Sequence, residues 1–103
     1  MKSQPVEALE IVEADMAYAM SYYASWRSDG ASYFKGQFDE AVKWMAWNPE
    51  LFPKRFRFFR RAVIRNTYFG IFYVIESEVT TIVAVLDMRQ RLKTIQGLVT
   101  GRK

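Results

Sequence analysis

Residues 54–91 have the sequence KRFRFFRRAVIRNTYFGIFYVIESEVTTIVAVLDMRQR, in which short polar breaks separate three apolar runs. The breaks, Asn66-Thr67 and Glu76-Ser77-Glu78, are too short to join anything but antiparallel neighbours. The runs are rich in aromatic and β-branched residues, which favour strands, and they cover Phe58–Arg65, Tyr68–Ile75 and Val79–Leu86. This stretch therefore predicts an antiparallel three-stranded meander.

The middle run is expected at the centre of the sheet. Its side chains are apolar at both alternating sets of positions, with Phe72 and Val74 on one face and Phe69, Ile71 and Tyr73 on the other. A strand that is covered on both faces has this pattern, whereas a half-exposed strand alternates apolar with polar residues.

Two helical segments precede the meander. The first runs from Val12 to about Arg27, and its apolar side carries Val12, Met16, Ala19, Met20, Tyr23 and Trp26. The second, Ala31–Asn48, has a stripe made of Phe34, Phe38, Ala41, Val42 and Met45. Asn48-Pro49 ends it, because the residue before a proline is pushed out of the helical region. The break between the two segments is short, so they are expected to form an antiparallel hairpin that packs on one face of the sheet.

The remaining segments complete an α+β fold within a single domain, residues 1–103. Val6–Ile11 is a short strand candidate that must join the meander, and Pro49–Pro53 is a crossing loop. Leu92, Ile95 and Val99 indicate a short C-terminal helix, after which Thr100–Lys103 are expected to fray. The predicted architecture is an N-terminal strand, a two-helix hairpin, a mainly antiparallel sheet ending in the meander, and a short C-terminal helix or tail.

The composition excludes several classes of chemistry. The chain has no cysteine and no histidine, so disulfides, thiolate metal sites and the usual catalytic triads cannot form. The acids Glu13 and Asp15 are explained by a solvated helix N-terminus. We therefore expect no metal, no small-molecule cofactor and a reducing cytoplasm as the compartment. The longest apolar run, Tyr68–Ile75, is too short to span a membrane.

Charge is divided unevenly along the chain. Residues 1–51 carry four basic and eight acidic side chains, and residues 52–103 carry eleven and three, so the net charge of +4 is the sum of −4 and +8. Guanidinium groups bind phosphate or carboxylate with paired hydrogen bonds. We expect the sheet to bring distant arginines onto one cationic wall, with Arg60, Arg61, Arg65, Arg89 and Arg91 as target- or phosphate-binding residues. The simpler alternative is that these arginines form only a solvated surface and bind no target. We assign no catalytic residue; the alternative is a catalytic set of Arg61, Arg65 and Arg89.

The order of elements and five short stretches resemble the RelE/ParE superfamily, the toxins of type II toxin–antitoxin pairs, also called plasmid stabilisation proteins. The resemblance covers about Glu7 to Ile95. The stretches that carry it are Val12–Met16 with Tyr22-Tyr23, Asn48–Pro53, Arg60–Val63, Tyr68–Tyr73 and Val85–Gln90.

The resemblance implies growth inhibition through a cellular target. RelE-like members cut messenger RNA on the ribosome with basic and tyrosine side chains, whereas ParE-like members inhibit DNA gyrase. Nuclease members tend to carry a basic residue where this chain has Phe69-Gly70, and often a tyrosine or histidine where it has Lys93–Ile95. The chain is therefore more similar to the ParE side, with the ribonuclease as the alternative.

The resemblance also implies a partner, a cognate antitoxin that lays a helix and a strand over the helical hairpin and a sheet edge. Tyr18, Tyr22, Trp44 and Trp47 are the aromatic side chains expected to anchor it. For Tyr18 and Tyr22, the simpler interpretation is packing on the neighbouring helix with the hydroxyls in water.

Overall fold

The computed structural model describes residues 3–103, which form one five-stranded sheet and three α-helices. In chain order the elements are β1 (Val6–Ala8), α1 (Val12–Ala24), α2 (Gly30–Trp47), a 3-10 turn (Pro49–Leu51), β2 (Lys54–Phe56), β3 (Phe59–Val63), β4 (Phe69–Ile75), β5 (Thr80–Asp87) and α3 (Leu92–Arg102). Within this part of the chain, none of the helices has the length and apolar character that a membrane span requires.

The sheet order is β1-β5-β4-β3-β2, which confirms the α+β prediction. β3, β4 and β5 form the antiparallel meander, and β4 is the central strand, as its two apolar faces predict. β1 lies parallel to β5, with Val6 opposite Thr80. This pairing makes the sheet mixed and returns the N-terminal strand to the far edge of the meander.

Both faces of the sheet are covered. On one face, Phe69, Ile71 and Tyr73 of β4 join the core of the helical hairpin. On the other face, Phe72 and Val74 pack with Ile95 and Val99 of α3. A β-bulge in β5 supports this second layer: Phe72 pairs with Ala84 but Tyr73 pairs with Ile82, so Val83 is an extra residue. The bulge places Val83 and Ala84 together on the α3 face, where strict alternation would separate them.

The helical hairpin packs as its apolar stripes predict, with one exception. Phe34, Ala41 and Met45 of α2 are buried, and the full burial of a Phe or Met side chain contributes roughly 1.5–3 kcal/mol. Trp26, predicted on the buried side of the first helix, is 70% exposed. That prediction is wrong because α1 ends at Ala24, so Trp26 lies in the connection where the helical spacing no longer holds.

Three other local predictions are corrected. The N-terminal strand stops at Ala8, because residues 9–11 turn directly into α1. The predicted crossing loop contains the 3-10 turn and leads into β2, an additional edge strand that pairs Lys54 with Arg60. The C-terminal residues do not fray: α3 continues to Arg102, which forms an ion pair with Asp15, and Lys103 pairs with Glu76. Asp15 is therefore part of a structural ion pair and not a solvated helix-end charge.

Candidate functional site

Arg61 lies on the α3 face of the sheet, beside the glycine of β4. Arg61 is directly paired with Phe72, and paired residues of antiparallel strands point to the same face. A Cβ on Gly70 would lie 3.2 Å from Arg61 Cγ and Cδ and 2.9 Å from Met88 Sδ. The missing side chain of Gly70 therefore makes room for the arginine stem, which is the usual meaning of a glycine inside a strand.

The Arg61 guanidinium forms no ion pair with an acid among residues 3–103. Its Nε atom is buried and has no hydrogen-bond partner among the described residues. Burial lowers the pKa of Arg61, and the neighbouring charge of Arg55 lowers it further. A cation that is partly desolvated next to a second cation is costly to the fold, and such costs are typical of sites that bind an anion.

Arg89 lies on the opposite face, beside α1. Its Nη2 donates to the Tyr22 hydroxyl at 3.2 Å, and its guanidinium carbon lies 3.9 Å from the centre of the Tyr68 ring. Asp87 accepts hydrogen bonds from Arg89 Nε at 3.0 Å and from Nη2 at 2.6 Å. The hydrogen bonds to Arg89 lower the pKa of Asp87, while Asp87 and then Tyr22 raise the pKa of Arg89. Arg89 is therefore a neutralised, stacked cation.

The remaining predicted arginines have other surroundings. Arg60 points to the hairpin face, where Nη1 donates to the carbonyl oxygens of Phe52 at 2.8 Å and Glu50 at 3.3 Å. Arg65 lies in the β3–β4 turn and lines a cleft beside α2. Arg91 is exposed, just before α3.

The prediction of one cationic wall is therefore wrong. Arg61 and Arg89 lie on opposite faces of the sheet, and no hydrogen bond, ion pair or pocket described for residues 3–103 joins either of them to Arg65. Successive side chains of an extended chain point to opposite faces of the sheet. Met88 reaches the α3 face over Gly70, so Arg89, the next residue, points to the hairpin face.

A cleft of about 350 Å³ lies between α2 and the outer edge of β3. We call it the tryptophan cleft. Its lining is mainly apolar, with one acidic and one basic residue, and consists of Gln37, Glu40, Ala41, Trp44, Leu51, Phe52, Val63 and Arg65. Trp44 and Trp47 are 46% and 61% exposed, and their rings meet edge to face with 5.7 Å between centroids. Two adjacent exposed tryptophans beside an apolar cleft are typical of an interaction surface.

The strand edge beside the tryptophan cleft is open. Arg61 N–H donates outward to Pro53 O, whereas Ile64 N–H donates inward to Phe69 O on β4. Because these directions alternate along a strand, the backbone groups of Val63 point outward, away from β4. β2 pairs only with Phe59 and Arg60, so it does not reach Val63. An extended peptide could therefore pair with this edge.

The two tyrosines predicted to anchor the antitoxin differ in exposure and in contacts. Tyr18 is 66% exposed and lines a second groove together with Asp15 and Arg102. Tyr22 is half-buried, and its ring packs against Phe69, with centroids 6.3 Å apart, while its hydroxyl contacts Arg89.

Sequence reasoning missed Asp87 as the partner of Arg89, and it missed the role of Val63 and Leu51 in the cleft. The two-residue spacing of Asp87 and Arg89 was a readable signal. Val63 and Leu51 had no such signal in the sequence, because their exposure beside the cleft depends on where β2 ends.

Comparisons with known proteins show a likeness in fold. No protein-family model matches the sequence, and no curated protein matches it either. Among solved structures, a chain of the "Chromosomal ParDE TA system from P. aeruginosa" superposes with a TM-score of 0.70 over 81% of this chain and 94% of that chain. The two sequences are 13% identical, so the likeness is one of fold, and it agrees with the RelE/ParE-like architecture predicted from the sequence.

Proposed function

We propose that this chain is the toxin of a type II toxin–antitoxin pair, which inhibits growth by binding a cellular target such as DNA gyrase and is neutralised by a cognate antitoxin. The observation that carries the proposal is the fold shared with a chain of a ParDE toxin–antitoxin system. The proposal agrees with the element order and the motifs from which the resemblance was inferred.

The tryptophan cleft supports an antitoxin as the partner. An antitoxin segment would add a strand at the open edge of Val63 and place an apolar side chain between Trp44 and Leu51. Main-chain hydrogen bonds supply affinity in this kind of recognition, and pockets for alternate side chains supply specificity. Arg65 at the rim, which forms no ion pair within residues 3–103, favours an acidic segment.

The separation of the arginines favours a protein target over ribonuclease activity. Cleavage of a phosphodiester requires several groups aimed at the same developing charge. Arg61 and Arg89 lie on opposite faces of the sheet, and Asp87 already neutralises Arg89. The second candidate, a RelE-like endoribonuclease, is favoured by a single observation, the desolvated Arg61 without a counter-ion.

Two assays on the purified chain separate these functions. We expect the chain to inhibit DNA supercoiling by gyrase, and we expect it to leave messenger RNA intact in a translation extract. Specific messenger RNA cleavage that is lost in Arg61→Ala would replace the gyrase proposal with the ribonuclease. Unaffected supercoiling at excess protein would remove gyrase as the target.

The antitoxin site has its own matched test, with the protein encoded beside this chain as the probe. Trp44→Ala should weaken the complex by about tenfold or more, because exposed tryptophans concentrate interface energy. Trp26→Ala is the control, since Trp26 is also exposed, at 70% against 46% for Trp44, but lies outside the cleft. Equal losses in both variants would place the antitoxin elsewhere.

A further inference from the structure

A second concave site lies between the α1–α2 connection and the β3–β4 turn, apart from the tryptophan cleft. This aromatic hollow has a volume of about 300 Å³ and is lined mainly by aromatic rings, those of Tyr22, Tyr23, Trp26, Tyr33 and Tyr68. Trp26 is 70% exposed and Tyr68 is 49% exposed. The core does not account for these two rings, because most of the Trp26 surface and half of the Tyr68 surface remain in water.

The rings of the hollow leave Trp26 free to contact a ligand. The Tyr22 and Trp26 rings are inclined at 57°, with 6.1 Å between their centroids, so they form a notch that a small ring can enter. Two other ring faces are already covered by guanidinium groups: Arg27 lies 5.4 Å from the centroid of Tyr33, and Arg89 lies 3.9 Å from that of Tyr68. Trp26 therefore offers the largest accessible ring surface.

The charges around the hollow are balanced by nearby acids. Arg27, the one charged residue in the described lining, pairs with Asp29, and Arg89 pairs with Asp87. Neither arginine is left to attract an anion, and guanidinium groups on the ring faces disfavour a cation. The distribution of charge therefore fits an uncharged ligand.

Hydrogen-bond donors line the hollow without partners in the fold. The Trp26 indole N–H can only donate, and it forms no hydrogen bond within residues 3–103. The hydroxyls of Tyr33 and Tyr68 and the side-chain amide of Asn66 also line the hollow and are unbonded within the same range. A ligand that fills the hollow must therefore supply acceptors and need not supply donors.

We propose that the aromatic hollow binds a proline-rich segment of a protein partner in the polyproline II conformation, with a pyrrolidine ring against Trp26 and a backbone carbonyl accepting from the indole N–H. Such a segment is uncharged, and its prolines have no N–H to satisfy. It makes no internal hydrogen bonds, so its carbonyls are free acceptors. Aromatic-lined grooves recognise these segments because their conformation is formed before binding.

Two other modes of peptide recognition fit the hollow less well. Strand addition needs an open sheet edge, but the sheet side of the hollow consists of Asn66 and Tyr68, which precede β4. A helix uses its carbonyls in its own hydrogen bonds and would leave the Trp26 donor unpaired. The inference does not rest on the toxin proposal, since the hollow shares no lining residue with the tryptophan cleft.

The test is an NMR titration of the folded chain with decaproline, followed through the indole N–H signals of its three tryptophans. The control peptide is decaproline made of D-proline, which has the same composition and forms the mirror-image helix. We expect the L-peptide to shift the Trp26 signal and leave those of Trp44 and Trp47 in place. The D-peptide should bind about tenfold more weakly or not at all.

Three variants locate the binding site. Trp26→Ala should lose about tenfold in affinity for the L-peptide. Trp26→Phe, which keeps a ring but lacks the indole donor, should lose about fivefold, roughly the worth of one hydrogen bond. Trp47→Ala, which removes an exposed tryptophan outside the hollow, should bind as the wild type does. All three positions are taken from exposed side chains, so the fold should be retained.

Several results would overturn the proposal. Equal affinity for the two enantiomers would show that the hollow does not recognise the polyproline II helix. Shifts confined to Trp44 and Trp47, or equal losses in Trp26→Ala and Trp47→Ala, would place the peptide elsewhere. No shift of the Trp26 signal at millimolar peptide would leave the hollow without this class of ligand.

Discussion

Arg102 in the last turn of α3 forms a two-point ion pair with Asp15 in the first turn of α1, with Nη1 2.6 Å from Oδ2 and Nη2 3.0 Å from Oδ1. Both side chains also bond the edge of β5: Val85 N–H donates to Asp15 Oδ2, and Arg102 Nη1 donates to Val83 O. β1 pairs with β5 only up to Ile82. The ion pair therefore continues the protection of this sheet edge past the end of β1, while the opposite edge at Val63 stays open.

This ion pair predicts a large loss of stability on truncation. The Arg102 and Asp15 side chains are 17% and 10% exposed, so Arg102→Ala leaves a largely buried carboxylate without its partner. We expect the free energy of unfolding to fall by about 3 kcal/mol, measured by urea denaturation. Lys103→Ala is the control, since its pair with Glu76 is more exposed and should cost less than about 1 kcal/mol. Equal effects of the two substitutions would contradict the structural role of Arg102.

Alanine substitutions at two glycines of α2 should change the free energy of unfolding in opposite directions. A Cβ on Gly30 would collide with the backbone oxygen of Tyr23, so the hairpin helices must move apart in Gly30→Ala. We expect a loss of about 1–3 kcal/mol in the free energy of unfolding. Gly36 has nothing within 4 Å of the corresponding position, and Gly36→Ala should stabilise the protein by about 0.5–1 kcal/mol. Calorimetry or denaturant titration measures both, and a stabilising Gly30→Ala would show that the hairpin packs differently.

Arg61 and Arg60 are adjacent in β3 but should respond in opposite ways to removal of the charge. Arg61→Met removes a desolvated cation with an unpaired Nε atom, so we expect unchanged stability or a gain of up to about 1 kcal/mol. Arg60→Met removes hydrogen bonds to Phe52 O and Glu50 O and should destabilise the fold by about 1–2 kcal/mol. Urea titrations compare the two. A strongly destabilising Arg61→Met would show that Arg61 supports the fold, not a ligand.

The free energy of unfolding should depend on pH through Asp87. The hydrogen bonds from Arg89 lower the pKa of Asp87 in the folded protein. A carboxylate of this kind stabilises the fold above its unfolded pKa of about 3.9, and the stabilisation is lost as the pH falls through the lower folded value. The difference in free energy of unfolding between wild type and Asp87→Asn should therefore be constant above about pH 5 and shrink below about pH 4. Denaturant titrations over this range test it, and a difference that grows on acidification would contradict the assignment.

The meander and the helical hairpin could be predicted from the sequence because their signals are local. The run of aromatic and β-branched residues around Ile71 specifies a covered strand, and Pro49 specifies the end of α2. β2 could not be predicted, because Lys54-Arg55-Phe56 is short and charged and becomes a strand only through its pairing with β3. The pair of Asp15 and Arg102 spans 87 residues and had no local signal.

The candidate site was less predictable than the fold because it depends on register. The arginines themselves were visible, but their faces follow from strand pairing, and the bulge at Val83 shifts the alternation within β5. Arg61 and Arg89 were therefore expected together and are found apart. The glycine at position 70, alone in a bulky strand, was the available signal that a long side chain crosses β4 at that point.

The proposed toxin activity is tested by the viable count of bacteria after induced expression of the chain alone. The matched control is the same transcript with a stop codon in place of the Glu10 codon. We predict that colony counts fall after induction of the chain, and that they are restored when the protein encoded beside it is co-expressed. Growth equal to that of the control, in cells in which the folded chain is shown to accumulate, would contradict it.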